Sequence, residues 1–167
     1  WSDNGFCQIW RTADGENWSK VVDKGFRDNG AESDVRNAYV WEMEVFQDEL
    51  YAGTFNIPLP DIFGHRGCQL WRSDTGNVGD WEKVPIPGYN PPGYNDDNGF
   101  GEDQNYGIRK MVKWGDDMYV GVATSALQVF SYEACEIWKY NGSNWTCIVG
   151  DDTGADPTDP EYDGFGD

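Results

Sequence analysis

Short apolar and aromatic runs alternate with turn-forming residues along the chain. Runs rich in aromatic and β-branched residues and bounded by Gly, Asn and Asp are typical of strands joined by hairpins. Residues 40–46 and 50–55 predict a first and a second strand, and residues 67–73 and 81–86 predict a third and a fourth. The pattern therefore predicts a four-stranded antiparallel meander.

This unit repeats. The third strand recurs with the pattern Cys-Gln/Glu-Ile/Leu-Trp-Arg/Lys, beginning at Cys7, Cys68 and Cys135. A turn and a second tryptophan strand follow each copy, beginning at Trp18, Trp81 and Trp145. Five residues of the segment 37–53 match residues of the segment 105–121 at a constant offset of 68, namely Asn37, Met43, Phe46, Tyr51 and Gly53 with Asn105, Met111, Trp114, Tyr119 and Gly121. Repeated four-stranded meanders are the sequence signature of β-propeller blades.

The predicted fold is all-β, with about two and a half propeller blades. Residues 1–24 predict a half blade with third and fourth strands, 25–88 and 89–150 predict full blades, and 151–167 predict an acidic connector. The ending 164–167 matches residues 99–102, which precede a first strand. Because two and a half blades cannot close a ring of 4–8, we expect the chain to be part of a larger propeller. The third strand is apolar on both faces, as expected for a sheet packed between two neighbours.

Residues 12–18, Thr-Ala-Asp-Gly-Glu-Asn-Trp, resemble the Asp-box turn of sialidase-like propellers, although they are one residue short of that pattern. The whole repeat is similar to secreted propellers of bacteria and archaea. The resemblance implies a folding role for the box, because Asp and Gly cap a tight turn while Trp packs between blades.

Charge excludes several partners. The chain has 30 acidic and 12 basic side chains, for a formal net charge of -18. Phosphate binding needs clustered Lys and Arg, so neither nucleic acid nor anionic lipid is an expected partner. No run approaches the roughly 20 apolar residues of a membrane-spanning helix, and we expect no membrane insertion.

Five polar residues fall on the predicted first strands, which in a propeller lie nearest the central channel: Glu42, Glu44, Arg109, Lys110 and Lys113. Arg109 replaces Trp41 of the preceding repeat. With Glu42 and Glu44, it is the candidate catalytic set if the protein is a glycoside hydrolase. The favoured interpretation is a hydrated channel wall. Arg11 and Arg72 recur at equivalent positions, which indicates a structural role.

Two acidic loops are candidate calcium sites, because calcium binds several oxygen ligands from a flexible loop. The better candidate contains Asp96, Asp97, Glu102 and Asp103. Neither loop has the spacing of a twelve-residue calcium loop, and solvated acidic turns are the alternative. Beyond calcium, the sequence predicts no cofactor.

The cysteines carry one specific prediction. Cys7, Cys68 and Cys135 are equivalent, and packed sheets lie about 10 Å apart, too far for a disulfide between them. We expect these three to be small buried residues. Cys147 breaks the repeat, and a three-residue hairpin loop would place it opposite Cys135. A Cys135–Cys147 disulfide is therefore predicted.

Three glycosylation sequons lie in the hairpins between third and fourth strands, at Asn17, Asn141 and Asn144. Sequons mark exposed loops in secreted proteins. Together with the predicted disulfide they favour a location outside the cell or at its surface.

The function predicted from these features is a non-catalytic extracellular module that recognises a glycan or a protein, or serves as a surface scaffold. The candidate ligand-binding set comprises three loop aromatic residues and one lysine of a predicted first strand: Tyr89, Tyr94, Phe100 and Lys113. One alternative is a secreted hydrolase of the sialidase-like kind. Another is a filament or surface-layer subunit whose copies join through blade edges, because an unpaired edge strand invites pairing.

Overall fold

The computed structural model describes residues 6–30, 37–56, 67–87, 98–101, 105–124 and 135–150. Strands dominate these ranges, together with two short 3-10 segments, Lys24–Asn29 and Gly99–Gly101. The strands are β1 Ile9–Thr12, β2 Trp18–Val22, β3 Asn37–Phe46, β4 Glu49–Asn56, β5 Leu70–Ser73, β6 Glu82–Lys83, β7 Asn105–Trp114, β8 Asp117–Thr124, β9 Glu136–Tyr140 and β10 Trp145–Val149.

Each strand in these ranges pairs antiparallel with the next strand of its unit. β1 and β2 form a hairpin, β3 to β6 form a first sheet, and β7 to β10 form a second sheet. One pairing, Phe55 with Gly107, joins the two sheets. The predicted all-β class with antiparallel sheets is confirmed, and no sheet closes on itself within the described residues.

The first sheet is packed on both faces. One apolar cluster contains Trp71 and Ala52 together with Val22 of the hairpin. The other contains Leu70 together with Met118 of the second sheet. Adjacent residues of β5 thus face opposite neighbours, as strand geometry requires. The expectation that the third strand is buried on both faces is confirmed for β5.

Close approach between the sheets depends on a missing side chain. A Cβ atom placed on Gly53 of β4 would lie 2.5 Å from Cγ2 of Ile108, which is fully buried. Interiors are close-packed, so such an overlap would force the strands apart. Gly53 therefore permits Ile108 to pack directly against the first sheet.

A turn joins the hairpin to the first sheet. The Gly25 N–H donates to the Cys7 carbonyl oxygen over 3.0 Å, and the Cys7 N–H donates to the Asn37 carbonyl oxygen over 2.8 Å. Asn37 Nδ2 closes the loop by donating to the Gly25 carbonyl oxygen over 3.0 Å. The next residue, Phe26, has a φ of 68° and stacks on Trp71 with ring centroids 4.6 Å apart.

The same turn recurs between the first and second sheets. The Gly99 N–H donates to the Cys68 carbonyl oxygen and the Cys68 N–H donates to the Asn105 carbonyl oxygen, over 2.8 and 2.7 Å. Phe100, with a φ of 54°, stacks on Trp138 at 5.2 Å. We call this Gly-Phe unit the junction turn. A bulky residue in the left-handed region is strained and persists only where its surroundings hold it there.

Candidate functional site

Two β-bulges occupy equivalent places on the first strands of the two sheets. In the pairing of β3 with β4 the register shifts around Trp41, and in the pairing of β7 with β8 it shifts around Arg109. A bulge leaves one residue out of the ladder and redirects its side chain. Trp41 and Arg109 occupy equivalent positions of the two repeats but differ in chemistry, and the structure brings their side chains together.

An aromatic row ends beneath Arg109. The guanidinium carbon Cζ of Arg109 lies 5.1 Å from the ring centroid of Trp41, and Trp41 stacks on Phe55 at 4.2 Å. Tyr39, which is 56% exposed, lies 5.7 Å from Phe55. A Cβ atom on Gly107 would collide with the Trp41 ring, so only glycine fits beneath it. Arg109 is thus held over an aromatic face, the usual geometry of a cation–π contact.

A salt bridge completes the surface. Lys110 Nζ donates to Glu42 Oε1 over 2.5 Å, from β7 of the second sheet to β3 of the first. We call this surface, formed by Tyr39, Trp41, Glu42, Arg109 and Lys110, the bulge patch. Three of the five predicted channel residues therefore belong to one patch.

The other two predicted channel residues lie along the same strands. Glu44 Oε1 accepts a hydrogen bond from the N–H of Val45 over 3.0 Å. Lys113 is exposed on β7. Neither Arg109 nor Lys113 has a salt bridge to another residue in the described ranges. Strand β7 therefore carries three cationic side chains, Arg109, Lys110 and Lys113, in a chain whose net charge is -18.

The remaining predicted ligand residues lie elsewhere. Phe100 is 3% exposed and packs between Trp138 and Trp145, so its ring contributes to the core. Tyr89 and Tyr94 lie outside the described residues.

The predicted calcium ligands, Asp96, Asp97, Glu102 and Asp103, also lie outside the described residues. Within the described ranges, no group of three or more His, Cys, Asp or Glu side chains is arranged to hold a metal ion. The same ranges contain no helix with the length and apolar character of a membrane span.

The repeated cations have separate local partners. Arg11 donates to the Thr75 carbonyl oxygen over 3.3 Å, and Lys139 lies 3.9 Å from Asp117. Arg72 bridges the carboxylates of Glu49 and Glu82 at 3.3 and 2.5 Å.

Tyr51 belongs to the Arg72 network. Its hydroxyl donates to Glu49 over 3.0 Å, and burial, followed by the nearby Glu49 carboxylate, raises the pKa of this hydroxyl. The network borders a cleft of about 390 Å³ in which Arg72 is already neutralised. The repeated cations therefore tie strands and turns together, and they do not converge on a carboxylate-binding trio.

The predicted Cys135–Cys147 disulfide is wrong, because the four thiols are unpaired. The physical reason is hairpin register. Tyr140 pairs with Trp145, which leaves a four-residue loop and places Cys147 opposite Trp138. Asn141 Oδ1 fixes this loop by accepting hydrogen bonds from the backbone N–H groups of Ser143 and Asn144.

Burial of the repeated cysteines is confirmed at two positions. Cys7 and Cys68 are buried, and burial raises the pKa of the Cys7 thiol to about 12. Cys135 is exposed, contrary to expectation. Cys7 and Cys68 are each enclosed by a junction turn and by the asparagine that begins the next sheet. Cys135 has no such enclosure within the described residues.

The Asp-box-like turn is closed by its own side chains. Thr12 Oγ1 accepts from the N–H of Gly15 over 2.8 Å, and Asp14 Oδ1 accepts from the N–H groups of Glu16 and Asn17 over 2.9 and 2.8 Å. Hydrogen bonds from Asn17 and Glu16, together with one from Thr12, hold the pKa of Asp14 below its ordinary value. These contacts support the structural role that the sequence predicted for the motif.

The three sequon asparagines are exposed but differ in accessibility. Asn17 Nδ2 donates to Asp14 Oδ2 over 2.6 Å, and the Asn141 side chain caps its own turn. Asn144 has no side-chain hydrogen bond to another described residue. Its amide nitrogen is therefore the most open acceptor of the three.

Sequence reasoning identified the cations and Glu42 but missed the aromatic half of the bulge patch. Tyr39 and Trp41, and Phe55 that packs against both, are residue types common in any strand and so gave no signal. The signal that was available is Gly107, which directly precedes the predicted strand at residues 108–114, because a glycine in or beside a strand often marks the close approach of another group. Comparisons of the chain with family models, curated proteins and solved structures find no match. The function must therefore be inferred from the site itself.

Proposed function

We propose that the chain forms blades of an extracellular β-propeller whose bulge patch recognises a glycan or a protein without catalysis. The architecture supports blades in two ways. The two meanders have the same strand order, and each sheet junction uses the same Gly-Phe turn. The first sheet is buried on both faces, as a blade between neighbours is.

The observation that carries recognition is the convergence of exposed Tyr39 with Arg109 and the Glu42–Lys110 pair on neighbouring first strands. An exposed phenol ring offers an apolar face for stacking and a polar tip for a hydrogen bond. Arg109 has no carboxylate partner in the described ranges and offers a planar fork of donors. A glycan that carries a carboxylate group fits this combination best.

The same geometry disfavours hydrolysis. Glycoside cleavage needs two carboxyl groups at a defined separation on either side of a sugar ring. Glu42 is held by Lys110, and Glu44 accepts a hydrogen bond from its own strand. Neither is presented as a free acid or nucleophile, so binding without turnover is the proposal.

A glycan array probed with the full chain, with and without calcium, tests this proposal. We expect acidic glycans to bind, and Arg109→Ala to weaken binding at least tenfold, because a charged hydrogen bond contributes about 1.5–3 kcal/mol. Tyr39→Ala removes the stacking face and should weaken binding as well. Arg11→Ala is the matched control, since it removes the same charge on β1 and should leave binding unchanged.

Three outcomes would contradict the proposal. One is glycan binding that neither Arg109→Ala nor Tyr39→Ala weakens. Another is the absence of any bound glycan on the array, together with the absence of any protein bound at the patch. The third is release of the chromophore from aryl glycosides by the wild-type chain but not by Glu42→Gln, which would identify a hydrolase.

A further inference from the structure

An asparagine followed by glycine is chemically reactive, because the glycine nitrogen can attack the asparagine side-chain amide and no Cβ atom obstructs its approach. Three such pairs lie in the described ranges, Asn29-Gly30, Asn98-Gly99 and Asn141-Gly142, whereas Asn4-Gly5 lies outside them. The three described pairs have the same local chemistry but different surroundings, so the structure ranks their reactivity.

The first pair is protected by hydrogen bonds on both reacting groups. The Gly30 N–H donates to the Arg27 carbonyl oxygen over 3.2 Å. The side-chain nitrogen Nδ2 of Asn29 donates to the Trp81 carbonyl oxygen over 3.3 Å. Attack would have to break the bond of the glycine nitrogen, and departure of ammonia would have to break the other.

The second pair is protected by burial and by a hydrogen bond. The Gly99 N–H donates to the Cys68 carbonyl oxygen over 2.8 Å, as part of the junction turn. Asn98 is 5% exposed, so water has little access to its amide group. The glycine nitrogen is engaged, and the group that it would attack is screened from solvent.

The third pair lies in the hairpin loop between β9 and β10 and has neither form of protection. Asn141 is exposed, and the Gly142 N–H donates to no group in the described ranges. The side-chain oxygen Oδ1 of Asn141 accepts hydrogen bonds from the backbone N–H groups of Ser143 and Asn144 over 3.0 and 2.8 Å. Because both donors are N–H groups, the atom that accepts them is the amide oxygen.

These two hydrogen bonds favour attack on the amide carbon Cγ of Asn141. When a nitrogen adds to an amide, negative charge develops on the amide oxygen, and N–H groups already directed at that oxygen stabilise the transition state. The same bonds fold the side chain forward along the loop, over the intervening nitrogen of Gly142. The amide nitrogen Nδ2 of Asn141 has no partner among the described residues, so nothing described restrains its departure.

We propose that Asn141 is a self-modification site, at which the hairpin loop promotes deamidation of its own asparagine. The Gly142 nitrogen bonds to Cγ of Asn141 and gives up its proton, the Cγ–Nδ2 bond breaks, and the nitrogen leaves as ammonia. The product is a five-membered succinimide ring. Water then adds to one of the two ring carbonyl carbons and breaks its bond to the ring nitrogen, which gives aspartate or isoaspartate.

Isoaspartate changes the packing of this loop, whereas aspartate preserves it. Aspartate keeps the main chain as it is, and its carboxylate can accept the same two hydrogen bonds. Isoaspartate lengthens the main chain by one methylene group where there is no room for one. A Cβ atom on Gly142 would collide with the side chain of Gln47 in the first sheet, and Gln47 Nε2 donates to the Asn141 carbonyl oxygen over 3.1 Å. The isoaspartate form should therefore lose this contact between the two sheets.

The test is incubation of the full chain, produced without glycosylation, at mildly alkaline pH in water enriched in heavy oxygen. Each asparagine that converts during incubation gains a labelled carboxylate oxygen, and mass mapping of proteolytic fragments gives the rate at each site. In the native chain Asn141 should convert at least about tenfold faster than Asn29 and Asn98, since one donor directed at an oxyanion contributes that factor or more. In urea the three rates should converge, and the rate at Asn141 should fall.

Two outcomes would overturn the proposed site. One is a native rate at Asn141 that does not exceed the rates at Asn29 and Asn98. The other is a rate at Asn141 that stays the same or rises in urea, because the folded loop would then not promote the reaction. The comparison uses the wild-type chain alone, so it does not depend on whether a variant folds.

A matched pair of variants tests the effect on packing. Asn141→Asp has no ammonia to lose and reproduces the aspartate product, and Asn144→Asp adds the same charge in the same loop at a side chain with no described hydrogen bond. Both should unfold in urea as fresh wild type does. Wild-type chain in which isoaspartate has accumulated, measured by enzymatic carboxyl methylation, should unfold at a lower urea concentration. An unchanged midpoint in that sample would refute the loss of the Gln47 contact.

Discussion

Phe100 offers an uncommon test of the structure, because glycine should be tolerated there better than alanine. Phe100 is buried against Trp138 and Trp145 and has a φ of 54°. Removing the ring should destabilise the protein by about 3–5 kcal/mol in either variant. The two variants then differ only in the backbone.

The backbone difference can be worked out in two steps. An L-residue in the left-handed conformation costs about 1–2 kcal/mol relative to glycine. The greater freedom of glycine in the unfolded chain offsets about 0.4–1 kcal/mol of this advantage. Phe100→Gly should therefore be roughly 0.5–1 kcal/mol more stable than Phe100→Ala.

Urea denaturation followed by Trp fluorescence measures this difference, with sucrose added to both samples if the variants are too unstable without it. Phe46 of β3 is the matched control, because its side chain is equally buried but its φ is not positive. There Phe46→Gly should be less stable than Phe46→Ala. If glycine is also the less stable variant at position 100, the junction-turn geometry is refuted.

Three further predictions concern packing, pH and thiol reactivity. Gly53→Ala should destabilise the protein by about 1–3 kcal/mol in urea denaturation through overpacking, whereas Gly121→Ala, whose Cβ would lie 3.8 Å from its nearest neighbour, should have little effect. Hydrogen bonds to the Asp14 carboxylate lower its pKa in the folded state, so they stabilise the fold fully above the unfolded-state pKa of about 4 and progressively less as the pH falls below it. The difference in melting temperature between wild type and Asp14→Ala should therefore shrink in acid, and a constant difference would contradict this. Cys135 should react with a thiol reagent in the native state and Cys68 only after denaturation, because Cys68 is buried and burial raises its pKa; equal rates would contradict the described burial.

Much of the fold could be predicted from short stretches of the sequence. The alternation of apolar runs with turn residues predicted the strands, and the recurrence at a constant offset predicted two equivalent meanders. The Asp-box-like turn was also predictable, because Thr12 and Asp14 bind backbone groups within three residues of themselves. Local hydrogen bonds and side-chain alternation need no knowledge of distant residues.

The candidate site was only half predictable. Glu42, Arg109 and Lys110 stood out because they fall on the predicted first strands, which in a propeller lie nearest the central channel, but the contact between Glu42 and Lys110 joins residues that are 68 apart in sequence. Trp41 and Arg109 meet because each is the extra residue of a bulge, and a bulge depends on how a strand pairs with its neighbour.

By itself the sequence determined an all-β chain of repeated antiparallel meanders with an acidic surface. Strands and turns follow from patterns of residues close together in sequence, and the net charge follows from composition alone. Tertiary structure decided the register that separates Cys147 from Cys135, the burial of Phe100, and the meeting of Trp41 with Arg109. Each of these depends on which strands are neighbours and on the register in which they pair, because a register shift of one residue moves a side chain to the other face of the sheet.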